Sequence, residues 1–135
     1  MADTGINEVV VSSPILEEYI RTEYSSYKII SSTTKCLKNP EEALEEVKKD
    51  YFLTCLDYNL NKNWDFLNSI PKEERNKVEI LINAICPASC QNRKNHYRLN
   101  GISNLEYGKL YQASNCHIFT STLDPVMERG NNLTK

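Results

Sequence analysis

Two thiols four residues apart, in Cys86-Pro-Ala-Ser-Cys90, stand just ahead of the cations Arg93, Lys94 and Arg98 and the histidine His96. A third thiol, Cys116, comes 26 residues after Cys90 and is followed directly by His117. Thiolates are the ligands that zinc and iron–sulfur clusters prefer. A proline-bearing loop can aim two sulfurs at one centre without helical geometry, and nearby cations help keep thiolates ionised. Cys86, Cys90 and Cys116 are therefore the candidate metal ligands. For zinc, His96 or His117 would complete the set, although the spacing is not that of a zinc finger. The competing reading makes Cys86 a small buried apolar residue and Cys90 an incidental loop thiol.

Arg93 to Arg98 reads as a polar loop. Arg93, His96 and Arg98 would there bind an anionic substrate or partner, nucleic acid or a carboxylate. A lone histidine in such a loop is expected to be solvated. A Cys90–His96 nucleophilic pair is conceivable, but no third group is in place to orient it. Of the remaining cysteines, Cys55 lies inside an apolar run and reads as core, and Cys36 is an alternative fourth ligand.

The net charge of −2 gives no general pull toward nucleic acid. With 40% hydrophobic and 25% charged residues, the chain of 135 reads as one globular domain, 1–135, with a frayed polar tail over 128–135. No stretch approaches the roughly 18–20 apolar residues that span a bilayer, and the N-terminus lacks the basic start and apolar core of a signal peptide. The expected compartment is the cytoplasm, where thiols stay reduced.

The elements that must position these groups alternate. Glu8–Ser12 is a β-branched apolar run and reads as a buried strand. Ser13-Pro14 is a cap followed by a first-turn proline, so a helix begins there, with Ile15, Leu16, Tyr19 and Ile20 on one face and Glu17, Glu18 and Arg21 outside. Tyr27–Ser32 reads as the second strand. Asn39-Pro40 starts a helix over Glu41–Lys49 with Ala43, Leu44 and Val47 inward; its Glu/Lys-rich side is expected to be a solvated face and nothing more. Tyr51–Leu56 is a third strand, Trp64–Ile70 a short helix stopped by Pro71, Lys72–Lys77 a charged connector, and Val78–Asn83 a fourth strand. A further helix through Ser103–Gln112 and a strand from His117 are expected beyond it.

Strand starts fall about 20 to 27 residues apart, the spacing of right-handed βαβ units with a parallel sheet. In such folds the site gathers at the carboxyl ends of the strands, here Ser12 and Ser13, Ser32–Lys35, Asp57 and Tyr58, and Asn83 with Cys86. Strand alternation puts Glu79, Leu81 and Asn83 on one face of the fourth strand, a pattern that suits a barrel interior, so Glu79 and Asn83 join the candidate substrate-binding residues.

The segments VVVSSPILEEYI, YKIISSTT, FLTCLDYNL and VEILINAIC, in that order, resemble successive strand–loop units of the collagenase-like peptidase superfamily, which includes RNA- and ubiquinone-hydroxylation proteins. The resemblance implies a TIM-barrel-like domain in which an acidic strand residue, Glu79, leads into a cysteine loop. It also implies a four-iron cluster, with Cys86, Cys90 and Cys116 among its ligands, and a redox or hydroxylation reaction in place of peptide hydrolysis. A full barrel takes about 250 residues and eight βα units. This chain therefore reads as a half-barrel, either a fragment of a larger barrel or one that pairs with a second copy. The rival expectation is a non-catalytic α/β binding or scaffold domain with structural cysteines.

Overall fold

The structure, a computed structural model, describes residues 6–82, 86 and 90–105. The chain divides into two compact units, Met1–Ser89 and Cys90–Lys135. The first holds strands β1 (Glu8–Val11), β2 (Lys28–Ser31), β3 (Leu53–Cys55) and β4 (Val78–Glu79) and helices α1 (Pro14–Glu23), α2 (Pro40–Val47) and α3 (Trp64–Ser69). Short 3-10 turns cover Thr33–Lys35, Tyr58–Leu60 and Lys72–Lys77. In the second unit the described element is helix α4, Arg93–Leu105.

The helices begin where side-chain oxygens can take their orphan amide protons. The Leu16 amide donates to Ser13 Oγ at 3.4 Å, and the Glu41 and Glu42 amides donate to Asn39 Oδ1 at 2.8 and 3.2 Å. The Phe66 amide donates to Asn63 Oδ1 at 3.1 Å. Each such cap is worth about 1 kcal/mol. Pro14 and Pro40 occupy first-turn positions, where a missing N–H costs nothing.

All four strands are parallel and stand in chain order, β1-β2-β3-β4. The register pairs Val9 with Ile29, Val11 with Ser31, Ser31 with Thr54, and Thr54 with Val78, so these residues share one sheet face. That face carries the helices. Ile20 of α1 packs with Val11, Ile29 and Tyr51. Ala43 and Val47 of α2 pack with Leu56, Leu60, and Phe66 of α3, and Val78 joins them. The opposite face presents Glu8, Val10, Lys28, Ile30, Leu53, Cys55 and Glu79. There Ile30 is buried, while Val10 is 61% exposed.

Three expectations change. The fourth strand ends at Glu79, not Asn83. Its neighbour β3 ends at Cys55, so the Leu56 amide bond to the Glu79 carbonyl is the last rung, and the Leu81 carbonyl instead accepts from the Asn61 side chain. The connector 72–77 is a 3-10 turn, closed at its start by Glu74 N–H donating to Pro71 O at 2.9 Å. The stretch from Arg93 is helix, not loop: the His96 amide donates to the Asn92 carbonyl at 3.0 Å, which puts Asn92, a favoured capping residue, just before the first turn. The helix expected over Ser103–Gln112 thus begins ten residues earlier, and its end, like the strand expected from His117, lies outside the described residues.

Candidate functional site

The polar residues at the carboxyl ends of the strands are used locally. Ser13 caps α1, Ser32 Oγ accepts from the Thr34 amide at 3.2 Å, and Asp57 Oδ1 accepts from the Asn59 amide at 2.9 Å. Thr33 Oγ1 donates to the Leu56 carbonyl at 3.0 Å, tying the loop after β2 to the end of β3. The void lined by Ser32, Thr33, Glu46, Thr54 and Asp57 is about 10 Å³, room for one water and not a substrate. Cys36 follows with φ 55°, in the left-handed region that costs a residue with a Cβ some strain.

The predicted site residues fall in both units. Cys86 and Cys90 are both half-buried and reduced, but Cys86 belongs to the first unit and Cys90 to the second. Cys116, His117 and Asn83 lie outside the described residues. Glu79 is exposed on the sheet face opposite α1, α2 and α3, paired with Cys55 on the neighbouring strand. Burial, and then the Glu79 charge, push the Cys55 thiol upward, so it stays protonated. On α4, Arg93 has no exposed surface and His96 is 6% exposed, which overturns the expectation of a solvated histidine. Three residues apart, they share a helix face. Arg98 falls off that face, is exposed, and donates to Asn95 Oδ1 at 3.2 Å.

Two half-buried thiols have the donor chemistry for a soft metal, but they supply only half of a four-ligand set. Among the described residues, no three His, Cys, Asp or Glu side chains converge. A third ligand from Cys116 would still leave the set one short.

Among the described residues, the densest polar constellation lies where a solvated face is expected, on the Glu/Lys-rich side of α2. Glu46 of α2 is 4% exposed and accepts from Ser31 Oγ, Lys35 Nζ and Lys49 Nζ, each at 2.6 Å. Lys35 also donates to the Tyr51 hydroxyl at 2.9 Å, and that hydroxyl donates to Glu17 Oε2 at 2.7 Å. Arg21 donates to Glu17 Oε1 at 3.1 Å and to the Asp50 carbonyl at 2.8 Å. The Tyr51 ring lies near both cations, with Lys35 Nζ 4.7 Å and the Arg21 guanidinium 5.3 Å from its centroid. The network ties α1 to α2, to the loop after β2 and to the approach to β3.

The signal was present in the helical period. Glu46 stands three residues after Ala43 and next to Val47, on the inward face of α2; Glu17 stands three residues before Ile20, the buried residue of α1. The apolar face expected to be inward on α1, by contrast, is mostly outside: Ile15 is 81% and Tyr19 54% exposed.

The hydrogen bonds of the network favour the charged forms of Glu46, Glu17 and Lys35. Burial opposes the Glu46 charge, but hydrogen bonds from Lys35, Lys49 and Ser31 outweigh it and bring its pKa down to about 2. Burial likewise opposes ionisation of Glu17, and the bonds from Tyr51 and Arg21 overcome it. Lys35 is raised: burial works against its charge, and Glu46 and Tyr51 more than compensate. Charged groups held this firmly make a clamp, not an acid–base pair.

No known protein family, curated protein or solved structure matches the chain. Among the described residues, no helix is long and apolar enough to cross a membrane.

Proposed function

We propose that the chain is a half-barrel of βα units, akin to the collagenase-like peptidase superfamily, that holds a soft metal on Cys86, Cys90 and Cys116. The observation that supports this reading is the sheet: four parallel strands in chain order with the contacting helices on one face, the winding a TIM-like barrel needs. Cys86 follows the fourth strand, at the carboxyl end where barrel sites lie. Glu79, on the sheet face opposite α1, α2 and α3, would point into the interior. A bound iron–sulfur cluster would supply electron transfer to a redox or hydroxylation reaction. The exposed Arg98, with Lys94, would meet an anionic substrate, while buried Arg93 and His96 would fix the helix that carries them. Reduced thiols of this kind belong in a reducing compartment such as the cytoplasm.

The test is anaerobic purification with iron, sulfide and zinc quantified per chain, for the wild type and for Cys86→Ala/Cys90→Ala. Iron and sulfide near about four each, lost in the double variant, are the expected result for a four-iron cluster. Zinc near about one per chain assigns the same thiols to zinc. Absence of stoichiometric metal sinks the reading.

A second reading, a binding or scaffold domain, is favoured by one observation: Ser13, Ser32 and Asp57, all at strand carboxyl ends, are occupied as caps. It predicts a colourless, metal-poor protein whose melting point does not depend on chelators.

A further inference from the structure

Thr54 stands in the middle of β3, with Ser31 beside it on one neighbouring strand and Val78 on the other, on the sheet face that carries the helices. It is 2% exposed, and among the described residues its Oγ1 has no hydrogen-bond partner. The Ser31 hydroxyl, one strand away, donates to Glu46 Oε1 at 2.6 Å. Buried hydroxyls without a partner are rare in folded proteins, because nothing then offsets their loss of water.

The cavity of about 10 Å³ at the carboxyl ends of β2 and β3 adjoins Thr54, which lines it together with Glu46 and Asp57. That volume is about the room one water needs, and a buried water is held by about three polar partners. The lining supplies them. Glu46 is 4% exposed, and Ser31, Lys35 and Lys49 already donate to its carboxylate. A carboxylate offers about four acceptor positions, so one remains. Asp57 is 2% exposed, and the Asn59 amide donating to Oδ1 at 2.9 Å holds its carboxylate in place as a second acceptor. Leu37, Ala43 and Leu56 form the apolar part of the wall.

We infer that this cavity binds one ordered water, which accepts from the Thr54 hydroxyl and donates to the Glu46 and Asp57 carboxylates. A cation is the rival occupant, since oxygen atoms line the cavity. Lys35 and Lys49, however, each place an ammonium 2.6 Å from the Glu46 carboxylate and oppose a further positive charge beside it. A neutral molecule meets no such repulsion, and among neutral molecules the volume admits water. The bound water carries the Glu46 clamp onward from α2 to Asp57, which opens the turn after β3.

The test is a high-resolution crystal structure of the full chain and of Thr54→Val, with urea midpoints for both. Density about 2.5–3.0 Å from Thr54 Oγ1, Glu46 and Asp57 is expected in the wild type and not in Thr54→Val. Stability reads the same contact through its sign. If the hydroxyl holds a water, Thr54→Val takes one bond from that water and lowers the midpoint. If the hydroxyl has no partner, the same change relieves a buried polar group and raises it. A lower midpoint is expected. No density in the wild type, density that persists in Thr54→Val, or a midpoint at or above that of the wild type would overturn the proposal. So would six or more oxygen contacts at about 2.0–2.6 Å, the coordination of a cation.

Discussion

Tyr51 and Tyr24 both lie against α1, yet their rings meet opposite surroundings. Tyr51 is engaged by the chain itself: Lys35 and Arg21 approach its ring, and its hydroxyl bridges Lys35 and Glu17. Tyr24 packs against other rings, Tyr19 and Tyr27, beside an open apolar cleft. The difference comes from the acids. Glu17 and Glu46 face inward and hold Lys35 and Arg21 in place, whereas Glu23 at the end of α1 is exposed and, among the described residues, in no ion pair. One ring is thus engaged by charges of the fold itself, and the other by its neighbouring rings.

The largest expected effect comes from breaking the satisfied site at its centre. Glu46→Ala leaves Lys35, only 14% exposed, and Ser31 without their shared acceptor. It should cost about 3 kcal/mol, seen as a lower urea midpoint with unchanged slope. A loss under about 1 kcal/mol would mean the pair is no stronger than a surface bridge. Removing the Tyr51 hydroxyl alone, in Tyr51→Phe, keeps the ring for Arg21 and Lys35 and should cost about 1–2 kcal/mol. If Tyr51→Phe proves as damaging as Glu46→Ala, the phenol and not the carboxylate is the keystone.

Acid provides a graded version of the same break. The Glu46 carboxyl is depressed in the fold, so its contribution is complete above the ordinary value of 4.5 and disappears as pH falls toward about 2. Lys35 is raised, so its share is present below its ordinary 10.5 and disappears only as pH climbs through the higher folded value. Stability should therefore be flat across the neutral range and fall between roughly pH 4.5 and 2. In Glu46→Gln, urea midpoints should lose most of that acid slope; an unchanged slope would place the linkage in other carboxylates. The smallest effect belongs to the exposed ring. Tyr24→Leu should shift the melting midpoint less than Tyr51→Phe does, because Tyr24 is on the surface. A larger shift would show the tyrosine trio to be structural cement.

Much of the fold could be read from local signals. Ser13-Pro14 and Asn39-Pro40 announce helix starts, and the β-branched runs after residues 8 and 28 announce strands; each needs only near neighbours in sequence. The candidate site was legible only in its residue types. Arg93 and His96 looked like a solvated loop because no apolar stripe marks the helix that buries them, and Glu46 looked like surface because helix 41–49 is rich in charge. By itself, the sequence determined the order of the seven elements from β1 to β4 and the caps of α1 and α2, but not the buried face of α1, where Ile15 and Tyr19 are exposed. Only the tertiary structure decided that Glu17 and Glu46 belong on the same inward faces, since their partners Lys35 and Tyr51 arrive from loops 11 to 34 residues away. A charge is tolerated inside only when its partner is brought there by the fold, and no local pattern records where that partner will be.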